Sequence, residues 1–142
     1  MIQKLLCVGL VAAYLSLTTP AFAQMGYPLK GSWSGDWWLK KGEENHVLLD
    51  FDWDGKILKG VLNPGTDNVN LQKLSLEPPN GGVPHAMDPW VLHLEADAKD
   101  ATGKAVHYIV DGKLQNIGAY RKFVTGTWAA GNQKAEFRIV RN

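Results

Sequence analysis

Two pairs of carboxylates spaced i, i+2 (Asp50/Asp52 and Glu95/Asp97) and four histidines (His46, His85, His93 and His107) are the side chains whose types could do chemistry. Paired carboxylates hydrolyse glycosides when they flank a cleft, and imidazoles move protons near neutral pH or ligate metals. Alternation puts both carboxylate pairs, and His46, His93 and His107, on the polar faces of strands, where a solvated row is the simpler account. The stretch "DFDWDG" at 50–55 matches the opening of an EF-hand calcium loop, whose twelfth position must be a bidentate glutamate. Counted from Asp50 that position is Val61, so no calcium loop is expected. In "PHAM", His85 and Met87 offer an imidazole and a thioether that both suit copper, but two ligands on a proline-rich loop do not make a site. No Gly-x-Ser-x-Gly, phosphate loop, HExxH or Cys/His dyad occurs. No catalytic residue, metal site or cofactor is therefore expected, and nothing marks an enzyme beyond the general capacity of a barrel interior to build a site no motif records.

The stronger signal is aromatic. "KGSWSGDWW" at 30–38 places Trp33, Trp37 and Trp38, half of the six tryptophans, within nine residues together with two glycines. These side chains either line a binding surface or seal one end of a closed sheet, and the elements around them decide between the two.

From residue 31 onward apolar and polar residues alternate, with turn residues every eight to twelve positions, the pattern of an antiparallel sandwich or barrel. In "HVLLDFDWDG", Val47, Leu49, Phe51 and Trp53 share one face, and Asp54-Gly55 predicts a tight two-residue hairpin. "KILKGVLNPG" is the return strand, carrying Leu58 and Leu62 inward. Further strands are expected at 69–76, 90–97, 105–116, 121–128 and 134–141. With 31–38 they make eight. Gly112 is either a bend within the strand 105–116 or, with Asp111, a hairpin that splits it. The segment "EPPNGGVPHAMDP" holds four of the seven prolines and reads as loop, since proline cannot donate to a ladder. No stretch has sustained helical periodicity. Eight short strands joined mainly by hairpins predict an all-β, eight-stranded antiparallel up-and-down barrel, because closure removes exposed sheet edges.

The first 23 residues read as an export signal: Lys4, the apolar run "LLCVGLVAAYLSL", then small residues at Ala21 and Ala23 ahead of Gln24. The expected organisation is a removable segment 1–23 followed by one barrel domain over 24–142, acting in the periplasm or outside the cell. The single cysteine, Cys7, falls inside the signal, so the remaining chain has no thiol and no disulfide. Losing Lys4 leaves 14 basic against 14 acidic residues. A neutral chain with dispersed charge gives no electrostatic reason to expect nucleic acid or an anionic membrane as partner, and the apolar run is too short for a span of about 20 residues.

"KGSWSGDW" resembles the G-x-W signature on the first strand of lipocalin-like, or more broadly calycin-like, barrels, and "GTWAAGN" near the end is a weak echo of it. The chain is also similar to small exported bacterial barrels of undefined function with G-x-W early and G-T-W late. The resemblance implies that Trp33 plugs the closed end and that an arginine on the last strand, Arg141 in preference to Arg138, stacks over it. Such a cation–π contact gains about 0.5–2 kcal/mol.

The remaining inward row includes Trp90, Leu92 and Leu94, then Val106, Tyr108 and Val110, then Phe137 and Ile139. Small eight-stranded barrels are just wide enough for side chains to fill them, and the bulk of the tryptophans tilts the expectation toward a filled core. The alternative is an aromatic-walled pocket. The function expected is non-catalytic: a binding module that holds a small apolar molecule against Phe51, Trp53, Trp90 and Tyr108, with the loop 77–89 as lid. A solid-core protein that meets another protein through its loops is the rival, and oligomeric state is left open.

Overall fold

Alternation resolves into eight strands: β1 (Gly31–Trp38), β2 (Asn45–Trp53), β3 (Leu58–Leu62), β4 (Val69–Glu77), β5 (Trp90–Lys99), β6 (Ala105–Gln115), β7 (Phe123–Ala130) and β8 (Gln133–Arg141). The structure, a computed structural model, describes residues 26–63, 65, 68–79, 89–100 and 102–142. Residues 1–23, expected to be an export signal, and His85 and Met87 lie outside the described residues. Each strand pairs antiparallel with the next, and β8 returns to β1, closing an up-and-down barrel. The sheet has no free edge, and every inward side chain faces a shared interior. No helix among the described residues is long and apolar enough to cross a membrane.

The two ends of the barrel differ. Beneath one end lies a 3-10 turn, Tyr27–Leu29, with Pro28 in its first turn, where the absent N–H costs nothing. Trp33 is 0% exposed above it; its indole Nε1 donates to the Leu29 carbonyl at 2.7 Å, and its ring meets Phe51 edge to face at 6.3 Å. Leu29, Leu92, Leu114, Val124 and Ile139 complete a packed floor. The connections β1–β2, β3–β4, β5–β6 and β7–β8 lie at the other end.

Three local expectations change and one alternative left open is decided. β2 and β3 are joined by four residues, since Trp53 pairs with Leu58. Asp54 stays out of the left-handed region because its carboxylate accepts the Lys56 and Ile57 N–H groups, both at 2.8 Å; the turn is an Asx type and not the two-residue hairpin. Gly112 lies within continuous β6, paired with Leu92 and Gly126, so the chain does not turn there. β4 carries a bulge: Gln72 pairs with Glu95 and Ser75 with His93, so Lys73 and Leu74 together face Leu94, and Lys73 has φ +46°. The bulge shifts the inward residues from Val69 and Leu71 to Leu74 and Leu76, a parity change visible in the sequence. Finally, Arg141 is the cross-strand partner of Trp33, but the cation–π contact formed among the described residues is Arg138 over Phe123 at 5.0 Å. The Arg141 guanidinium lies against Gly31, whose lack of a side chain leaves it room.

Candidate functional site

The barrel is filled at one end and hollow at the other. Trp33, Leu92, Leu114, Val124 and Ile139 are fully buried toward the floor, whereas Trp37, Val47, Leu62, Tyr108, Val110 and Trp128 are only half-buried although they point inward. They surround a cavity of about 980 Å³, toward the upper end of the range for small-molecule sites. The interior is thus not the solid core toward which the tryptophan content tilted expectation. Bulk did not fill it because the large rings sit at the ends or against the wall.

Phe51 and Tyr108 line the cavity. Trp53 and Trp90 do not: Trp53 is the last residue of β2 and Trp90 the first of β5, which places both at the floor end, where Trp90 packs on the core. Two other tryptophans take the wall positions. Trp37 and Trp128 meet edge to face at 5.1 Å, and Trp128 meets Tyr108 likewise at 5.5 Å, so β1, β7 and β6 contribute one continuous aromatic wall. The signal for them was present: Trp37 shares strand parity with Trp33, and Trp128 with Val124. Leu62, Val69 and Leu71 form the facing aliphatic wall, and His46, Asn63, Asn68 and Asp100 ring the mouth. The mouth lies among the β1–β2, β3–β4 and β5–β6 connections. Residues 80–88 of the segment expected to act as a lid are outside the described residues, and Glu77 and Trp90, which flank it, belong to the floor end.

The polar residues singled out by type converge on the outside. Pairing β5 with β6 sets His93 opposite Asp111 and Asp97 opposite His107, and Glu95 between the two rows is 9% exposed. His93 Nδ1 lies 2.6 Å from Asp111 and its Nε2 3.4 Å from Glu95. His107 Nδ1 lies 2.6 Å from Asp97 and its Nε2 2.8 Å from Glu95. The β4 bulge turns both Gln72 and Lys73 outward, where Gln72 donates to Asp97 at 3.0 Å and the Lys73 ammonium sits 3.0 Å from Glu95. Each imidazole lies between two carboxylates, and only the imidazolium can donate to both.

The electrostatics follow this geometry. The Asp111 hydrogen bond, then Glu95, raises the proton affinity of His93 against the opposing effect of burial. Asp97 and then Glu95 raise that of His107. Lys73 first, then the two histidines, hold the Glu95 carboxyl below its ordinary value despite desolvation, and His107 and Gln72 do the same for Asp97. Raised histidines contribute stability that is complete below about pH 6.5 and lost as pH rises through their folded values. Depressed carboxylates contribute stability that is present above their ordinary values and lost as pH falls through the folded ones. The denaturant midpoint is accordingly expected to be highest between about pH 5 and 6.5 and to decline on the alkaline side. Glu95→Gln is expected to move both histidine titrations downward in NMR; unchanged ring titrations would disprove the coupling.

Among the described residues no group of three histidine, cysteine or acidic side chains is placed to hold a metal ion. Asp52 faces Lys30 at 3.7 Å and Asp54 is held by its own turn, so two of the three carboxylates of "DFDWDG" are otherwise engaged. Of the two carboxylate pairs only Asp97 borders the cavity, and its partner Glu95 is turned away from it. No family model matches the chain, and the curated proteins and solved structures yield no match either.

Proposed function

We propose that this chain is an exported, non-catalytic barrel of lipocalin-like architecture that holds one small apolar molecule in the open half of its interior. The observation that carries the proposal is the cavity of about 980 Å³ inside the barrel, around which Trp37, Val47, Leu62, Tyr108, Val110 and Trp128 stay half-exposed while the cluster about Trp33 is fully buried. A solid-core protein acting only through its loops would bury its inward residues at both ends. An apolar guest would shed its hydration against Phe51, Leu62, Val110 and the Trp37–Trp128–Tyr108 wall. That desolvation is worth about 25 cal/mol for each Å² of apolar area removed from water. The Tyr108 hydroxyl and the polar rim offer hydrogen bonds to one polar end of the guest. The signal-like pattern of residues 1–23 supports action in the periplasm or outside the cell.

The test is native mass spectrometry of the chain purified from its source cells, before and after denaturation. A bound small mass that disappears on unfolding is expected. Val110→Trp projects an indole into the hollow half and should lower the bound fraction about tenfold or more, a loss of about 1.4 kcal/mol or greater in binding, with a near wild-type denaturant midpoint. A bare wild-type chain would overturn the carrier reading in favour of an interaction protein acting through its loops.

A further inference from the structure

All three arginines of the chain, Arg121, Arg138 and Arg141, line one groove; every other basic residue is lysine. The groove runs along the outside of the barrel over β1 and β8, encloses about 550 Å³, and shares no lining residue with the interior cavity. Arginine is the side chain whose planar fork matches the oxygens of an oxyanion two at a time, and it gives up hydration more readily than lysine.

The three arginines come to the groove from different elements. Arg138 projects outward from β8 and is braced over the Phe123 ring. Arg141, at the end of β8, has the opposite strand parity; it borders the groove, and its guanidinium lies against Gly31, where a Cβ would stand 3.0 Å from the Arg141 Nε. Arg121 sits on the β6–β7 connection, which is tied down at both ends. Asn116 Nδ2 donates to the Arg121 carbonyl at 3.1 Å, and the Arg141 N–H donates to the Lys122 carbonyl at 3.0 Å.

None of the three makes an ion pair among the described residues, while Lys30, Lys73, His46, His93 and His107 all do. Asp36 also lines the groove and is the backbone partner of Arg138, but its carboxylate turns to His46 at 3.4 Å. Outside the groove, burial first and the Arg141 charge second lower the proton affinity of the Lys122 amine. Neutral hydrogen-bonding groups stand among the cations: Ser34, whose Oγ donates to the Asn142 side chain at 2.6 Å, and Tyr120, 86% exposed. Gathering like charges around a single carboxylate that is turned to His46 is unfavourable in the free protein, and a bound anion would relieve it.

We propose that this groove binds a phosphate-bearing ligand, with Arg121 and Arg138 as the clamp on its oxygens and Arg141 at its border. The same chemistry is presented by a water-soluble phosphate compound and by a phospholipid headgroup. The site does not depend on the interior cavity, and either can be occupied without the other.

The test titrates the full chain with inorganic phosphate at constant ionic strength, following the arginine Nε–H and Trp38 indole resonances by NMR. Saturable shifts are expected at millimolar phosphate. Arg121→Gln and Arg138→Gln should each weaken binding about tenfold, Arg138→Lys should recover only part of it, and Lys113→Gln, on β6, should change nothing. In parallel, the chain is sedimented with phosphatidylglycerol vesicles and with phosphatidylcholine vesicles. Arginine-dependent binding to the former alone identifies a headgroup; phosphate binding without vesicle binding identifies a soluble ligand. Linear shifts that are identical in every variant, with no arginine-dependent vesicle binding, would overturn the proposal.

Discussion

Replacing Trp33 by alanine is expected to cost about 3–5 kcal/mol of unfolding free energy, the range for emptying a buried tryptophan site. The ring is 0% exposed and stands at the floor of the barrel, where strands from the whole circumference meet. Three losses combine: the apolar surface of the indole, its edge contact with Phe51, and the hydrogen bond to the Leu29 carbonyl. That bond fastens the 3-10 turn beneath the barrel, so its loss also loosens Leu29, itself fully buried. Trp33→Phe separates the contributions. It restores most of the volume but leaves the buried carbonyl without its donor, a penalty of about 1–3 kcal/mol. Urea denaturation followed by far-UV circular dichroism measures both variants. A Trp33→Ala midpoint close to wild type would show that the floor is held from elsewhere.

The second large effect is expected at two glycines of the barrel wall. Gly35 on β1 and Gly126 on β7 point inward where their strands press hardest on a neighbour. A Cβ on Gly35 would overlap the Arg138 carbonyl oxygen and lie 2.7 Å from the Ile139 Cα; one on Gly126 would overlap the Asp111 carbonyl oxygen and lie 2.6 Å from the Gly112 Cα. These obstacles are backbone, not flexible side-chain ends, so relief requires β1 to separate from β8, or β7 from β6. Overpacking in close-packed regions costs about 1–3 kcal/mol and sometimes more; with backbone as the obstacle, Gly35→Ala and Gly126→Ala belong at or above the upper end. Gly118→Ala serves as the contrast. Nothing lies within 4 Å of its Cβ position, and its stability should be unchanged or slightly increased through the unfolded chain. If all three variants unfold at the same urea concentration, close strand approach at the two wall positions is not limiting.

Alternation and turn residues were enough to read eight strands, their up-and-down order and closure of the barrel, and β1 occupies the residues expected of it. These are local properties: period two along a strand and punctuation by glycine, proline and asparagine require no knowledge of distant residues. The β4 bulge and the inward-facing Trp37 and Trp128 were not read, although the shift of apolar parity from Val69 and Leu71 to Leu74 and Leu76 carries the trace of the first and strand parity that of the others.

Depth along the barrel axis was not legible. Trp53 and Trp37 both carry inward parity, yet one lies at the packed floor and the other on the wall of the hollow half. The stagger of each strand against its neighbours sets that difference, and stagger is a relation among residues far apart in sequence. The same non-local register brings His93 and His107 to opposite sides of Glu95, turning what reads as a solvated row into a linked set of charges. It also gathers three arginines from β8 and a loop into one groove on a chain whose overall charge is near zero. Composition and periodicity determined what kind of wall would be built; only the pairing of distant strands decided which residues would stand together on it, because side chains that share a face meet only where the register sets them side by side.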